Sequence, residues 1–189
     1  MKRLAVYCGS SMGTNPRFAG IATALGEEMA GRGIGLVYGG GRLGLMGVVA
    51  DAVLHNGGEA YGVIPQALID LEVAHTGLTE LRIVASMHER KAMMTELTDA
   101  FVAIPGGIGT LDELFEAWTW NALGYHAKPF ALLNVDGFWD GMISFLDTVT
   151  TSGFMSPARR AQLLVADTVG DAIDRLDAAI ASAEPKMVW

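Results

Sequence analysis

The chain has 189 residues, 51% of them hydrophobic, with a formal net charge of −8 and a single cysteine. That length allows one domain with a substantial core, and the hydrophobic share fits a sheet covered on both faces. The negative balance disfavours a nucleic-acid partner, one cysteine excludes an internal disulfide, and no charge-free apolar run reaches the roughly 18 residues of a membrane span.

Residues 4–7 read as a short apolar strand that ends in Cys8-Gly9-Ser10-Ser11. The glycines and serines break the apolar run there, so no signal peptide is expected and the reading is cytoplasmic. Asn15-Pro16 has the form of an N-cap followed by proline at the first helical position, with the helix running to about Gly31. Ser10 and Ser11 serve either as hydroxyl donors to a phosphate or as plain turn residues. Cys8 reads as a small packing residue.

A second strand over residues 34–38 runs into Gly39-Gly40-Gly41-Arg42-Leu43-Gly44. The spacing satisfies G-x-G-x-x-G, but the acid expected at the end of the next strand is missing, since residues 61–64 finish in Pro65-Gln66. The turn, with Gly40 and Gly41, is therefore read as a phosphate or ribose loop rather than a dinucleotide site. Arg42 either binds an anion or faces solvent. A helix over residues 45–56 stops at Gly57-Gly58. Residues 66–79 form a polar connection carrying Asp70, Glu72, His75 and Thr79, the kind of loop that lies near ligands.

Residues 81–84 read as a fourth strand, followed by a helix over 87–97. On a helical period Met87, Lys91 and Met94 share a face, and Arg90, Met94 and Leu97 the adjoining one. The two cations either snorkel along the apolar stripe or neutralise a buried anion at the strand ends. His55, His75, His88 and His126 show no zinc-binding spacing, so no metal site is expected.

The most informative stretch is Pro105-Gly106-Gly107-Ile108-Gly109-Thr110-Leu111-Asp112-Glu113. It follows an apolar strand at 100–104 and leads into an amphipathic helix. Free N–H groups and the helix dipole attract an anion at such a turn. A carboxylate there needs a reason. Either Thr110 and Glu113 form a capping box, or Glu113 faces a part of the ligand where positive charge develops. Glu113, Glu116 and Trp120 fall at i, i+3 and i+7, which would let both carboxylates face one cleft. Strands at 130–133 and 163–165, and helices at 138–151 and 169–183, complete the pattern. Residues 1–189 are read as a single nucleotide-binding α/β domain: a Rossmann-like, doubly wound, mainly parallel sheet of about seven strands with helices on both faces and the ligand over the strand ends.

Gly39-Gly40-Gly41, Met87-His88-Glu89-Arg90-Lys91 and the Pro105–Glu113 stretch together resemble the Lonely Guy (LOG) family, whose members carry an older label as lysine decarboxylases. The resemblance runs from about residue 3 to residue 170. It implies hydrolysis of the N-glycosidic bond of an N6-modified adenosine 5′-monophosphate, giving free base and ribose 5-phosphate, with no cofactor. It further implies a homodimer, with Arg90 and Glu113 catalytic. Ser10, Gly40, Gly41, Glu72, Met87, Lys91, Gly106, Gly107, Ile108, Gly109, Thr110, Leu111, Asp112 and Thr119 would contact substrate. Ile108 stands where plant members have tyrosine, and Asp112 where glutamate is usual. Oxocarbenium-like chemistry at the ribose gives Glu113 a use beside an anion site. The alternative from another class is a non-catalytic nucleotide or cofactor carrier on the same fold.

Overall fold

The computed structural model describes residues 1–69 and 73–182. Seven strands form one parallel sheet in the order β4-β3-β2-β1-β5-β6-β7: β1 Arg3–Tyr7, β2 Gly35–Tyr38, β3 Ala60–Pro65, β4 Glu80–Val84, β5 Ala100–Ala103, β6 Phe130–Leu133 and β7 Leu163–Ala166. The helices are α1 Arg17–Gly31, α2 Gly44–His55, α3 Met87–Leu97, α4 Ile108–Leu123, α5 Asp140–Thr151, a single turn α6 Pro157–Arg160, and α7 Val169–Ser182. All seven expected strands are present, and boundaries differ from the sequence reading by a residue or so. The expected helix at 138–151 begins at Asp140, after a 3-10 turn over Val135–Gly137, and α6 was not anticipated. Ala183, the expected last helical residue, lies outside the described residues.

Strand alternation divides the core into two layers. Along β1, Leu4 and Val6 pack with Leu25 of α1, Val49 of α2 and Ile173 of α7. Ala5 and Tyr7 point the other way, toward Met94 of α3, Leu114 and Trp118 of α4 and Leu146 of α5. The period-two pleat thus produces the doubly wound layering. Strand order grows outward from β1 on one side and from β5 on the other. The crevice between their C-terminal ends is a topological switch point, where open α/β sheets bind ligands. Pro16, not Asn15, stands at the N-cap position of α1, and Asn15 just before it accepts the Arg17 N–H on its Oδ1 at 3.0 Å.

Candidate active site at the β1–β5 switch point

The turns after β1 and β5 are stitched together by the Gly9 N–H donating to Pro105 O at 3.1 Å. Gly106 has no room for a side chain: a Cβ would lie 2.1 Å from Thr110 Oγ1 and 2.8 Å from Gly9 N. The backbone therefore packs tightly here and α4 starts early. Its N-cap is Gly107, with no side-chain cap, and its first intrahelical bond runs from Leu111 N to Gly107 O at 3.2 Å. The N–H groups of Ile108, Gly109 and Thr110 have no carbonyl one turn back to receive them. The Thr110 hydroxyl is buried, has no hydrogen-bond partner among the described residues and lines the same cleft. Three amides, a hydroxyl and the positive end of a four-turn helix make an anion cradle.

This start corrects the capping-box reading. Thr110 is the third residue of α4, not its cap, and Glu113 is the sixth. Glu113 lines the cleft together with Cys8, Ser10, Met87 and Arg90 around a volume of about 330 Å³. Burial pushes the Cys8 thiol and the Tyr7 hydroxyl up, and the Glu113 carboxylate adds to both. The carboxylate is thus close to the end of β1. Cys8 is buried and held as a neutral thiol, in keeping with a packing role.

Arg90 arrives by a different route. Ser86 caps α3 by accepting the Glu89 N–H at 3.1 Å, and Glu89 Oε2 accepts the Ala85 N–H at 2.8 Å. The buried residues of α3 are Arg90 and Met94, the pair that shares a face in the sequence. Arg90 is only 4% exposed, so its guanidinium does not snorkel. Its Nη2 donates to Gly39 O at 2.9 Å, and a Cβ on Gly39 would sit 1.9 Å from that nitrogen. The glycine at the end of β2 therefore serves the arginine.

The sequence profile of the family described as "Possible lysine decarboxylase" matches residues 46–176. The cytokinin riboside 5′-monophosphate phosphoribohydrolase LOG of Oryza sativa subsp. japonica is 45% identical over 188 residues, covering all of this chain and 78% of that protein. LOG7 of Arabidopsis thaliana, which carries the same activity in its name, is 46% identical over 176 residues, 93% of this chain and 81% of its own. The chain belongs to the LOG family. A molybdenum cofactor binding protein from the phototrophic bacterium Rippkaea orientalis superposes with a TM-score of 0.72, covering 95% of this chain and 97% of that one. At 20% identity that likeness shows the fold alone.

Of the residues singled out for this LOG-family chain, the cleft gathers Ser10, Met87, Arg90, Gly107, Ile108, Gly109, Thr110, Asp112 and Glu113. Gly106 lies just behind the turn, in the wall of a neighbouring hollow. Lys91 is not in the cleft. Its Nζ bonds Asp112 Oδ2 at 3.1 Å and pairs with Glu116 Oε2, tying α3 to α4. Burial lowers its pKa, but the bonds to Glu116 and Asp112 outweigh this and raise it. The two carboxylates expected to share a cleft are thus divided, Glu113 lining the cleft and Glu116 held by Lys91. Leu111 and Thr119 line a depression on the outer face of α4. Gly40 and Gly41 are buried, Gly40 O accepting the His75 N–H at 2.9 Å and Gly41 bridging to Ala74. Arg42 is exposed. Glu72 and Asp70 lie outside the described residues.

Sequence reasoning missed Gly39 as an acceptor and Met46 and Leu68 as lining residues. Nothing local marks them, because each meets the site across many residues of chain. Among the described residues no group of three or more His, Cys, Asp or Glu is placed to hold a metal ion. No helix among them is long and apolar enough to cross a membrane.

Proposed function

We propose that this chain hydrolyses the N-glycosidic bond of cytokinin-type, N6-substituted adenosine 5′-monophosphates, releasing free base and ribose 5-phosphate. One observation carries the reading: an anion cradle and a carboxylate share a single cleft, with a buried arginine beside them. The amides of Ile108, Gly109 and Thr110 and the Thr110 hydroxyl hold the 5′-phosphate. Glu113 faces the ribose, where the C1′–N bond breaks and positive charge develops. It stabilises that charge or orients the water whose oxygen bonds C1′. The water's protons end on the departing base and the new sugar hydroxyl. Arg90 positions the phosphoribosyl group and favours the ionised form of a neighbouring carboxylate. The names of the relatives support the same activity.

The older decarboxylase label has less support from these residues. Pyridoxal-type chemistry needs a lysine of lowered pKa on the cofactor, and among the described residues no lysine lines the cleft. The reading includes a homodimer, supported by the two large apolar side chains that α4 leaves exposed, Ile108 at 84% and Leu123 at 67%. Sedimentation in solution tests it. It also includes one nucleotide-binding domain and a cytoplasmic location, in keeping with a single, unpaired, buried cysteine.

The deciding experiment measures base release from AMP and from isopentenyladenosine 5′-monophosphate by the wild-type chain. Release from either, with poor reaction of the matching nucleosides, is expected. Binding of both nucleotides with no release would overturn the hydrolase and favour a carrier.

A further inference from the structure

Arg90 is held by a carbonyl, and that carbonyl belongs to a turn which is itself held from its far side. Successive carbonyls of the turn are committed in different directions: Gly39 O accepts from Arg90 Nη2 at 2.9 Å, and Gly40 O accepts from the His75 backbone N–H at 2.9 Å. The Arg42 N–H donates to Val73 O at 2.9 Å, and Gly41 bridges antiparallel to Ala74. Residues 73–75 therefore run alongside the turn as a short strap. The strap is strained, because Val73, a β-branched residue, sits at φ 48, in a region such side chains rarely adopt. Strain of this kind persists only where the surroundings over-determine the backbone.

The His75 side chain supplies that determination. It is 7% exposed. Its Nδ1 accepts the Gly77 N–H at 3.0 Å, which leaves the ring proton on Nε2, and Nε2 meets Asp51 Oδ1 of α2 at 3.0 Å. The imidazole is thus fixed at both nitrogens, to the strap's own continuation and to the helix that follows the turn. Nothing in the hydrolysis uses His75 or Asp51 directly. We infer that the His75–Asp51 pair is a positioning device, clamping the strap onto the Gly39–Gly41 turn so that Gly39 O holds the Arg90 guanidinium at the reaction site. The inference rests on the hydrolase reading for its effect on rate, but its structural half does not.

The test uses the intact chain with Asp51→Ala as the main variant. That carboxylate is 52% exposed, so truncation opens no cavity, and alanine suits the helix. His75→Ala is the second variant. Hydrogen exchange at the Arg90 guanidinium, read by nitrogen-edited NMR, reports the clamp without any chemistry. In both variants exchange should quicken by about tenfold or more, the scale of losing a hydrogen bond to a charged group, while amides of β1 and β5 keep their rates. In the base-release assay kcat should fall by about tenfold with KM within about twofold. If His75→Ala does not fold, Asp51→Ala alone decides. Unchanged Arg90 exchange, or a rise shared equally by the β1 and β5 amides, overturns the inference. A wild-type chain that binds nucleotide without turnover overturns the hydrolase reading instead, and the exchange measurement still decides the clamp.

Discussion

Gly39→Ala is the sharpest perturbation the geometry offers, because it deletes no proposed catalytic atom and moves one proposed catalytic group. A Cβ at Gly39 falls 1.9 Å from Arg90 Nη2 and 3.0 Å from Cζ, against ordinary contact from 3.4 Å. Going from 1.9 to 3.4 Å displaces the guanidinium by about 1.5 Å, and misplacing a positioned group by about 1 Å can cost about a hundredfold in rate. The bond to Gly39 O is lost with it, and a hydrogen bond to a charged group contributes about 1.5–3 kcal/mol, tenfold or more. The two losses describe one event and are not summed. A fall in kcat/KM of about a hundredfold is expected. The fold should hold, since the obstacle is the end of a long side chain, Met46 Sδ at 3.3 Å is equally adaptable, and Gly39 is not among the glycines of positive φ. Steady-state base release and thermal unfolding, run together, check both halves. A kcat/KM within about threefold of wild type, at an unchanged melting temperature, would refute the role given to Arg90.

Three further outcomes follow from the same site. Glu113→Gln should lower kcat by about a hundredfold or more, measured by the same release assay; retained turnover would send the search for the catalytic carboxylate to Glu116 or Glu72. Thr110→Val keeps the shape and removes the partnerless hydroxyl, so KM for nucleotide should rise by about tenfold while the melting temperature stays level or climbs; a KM within about twofold would remove the hydroxyl from the phosphate cradle. Cys8 and Tyr7 both have folded pKa values above their ordinary 9.0 and 10.0. The folded chain then keeps protons that the unfolded chain loses, so stability falls as pH rises past 9.0. Cys8→Ala should flatten the first part of that decline in unfolding curves taken across it, and an equally steep curve in the variant would show that the thiol does not contribute.

The fold was legible because its signals are local. Strands buried on both faces read as unbroken apolar runs, and three of them, β1, β2 and β5, are followed by a glycine turn and a helical period. The edge strand β4, whose Ile83 is 55% exposed, carries the weakest run. The site was legible in its residues but less so in their partners. Ser86-Met87-His88-Glu89 and Thr110-Leu111-Asp112-Glu113 satisfy the same capping pattern, yet only the first caps a helix. The difference lies in the preceding turn: Gly107, with φ −96 and ψ −154, begins α4 three residues ahead of Leu111, and no side-chain pattern records that backbone choice. Arg90 meets Gly39 across 51 residues, and His75 meets Asp51 across 24. Contacts of that reach depend on strand order, which periodicity leaves open.

A non-catalytic nucleotide carrier on the same fold is the rival reading, and the sign of one charge separates the two. A protein that only holds a phosphate is improved by each donor and harmed by a carboxylate set beside that phosphate. Two like unit charges about 6 Å apart repel by about 3 kcal/mol at an effective dielectric near 20, roughly a hundredfold in affinity. On the hydrolase reading Glu113, in the cleft that holds the α4 N-terminus, would weaken ground-state binding of the phosphate. Such a residue is useful only where positive charge appears later, at the ribose of the transition state. The hydrolase reading expects Glu113→Gln to bind AMP at least as tightly as wild type while losing turnover. Isothermal titration gives the first quantity and base release the second. Tighter binding with turnover intact would leave Glu113 an accident of the helix, and weaker binding would mean that the carboxylate faces something other than the anion it was argued to repel.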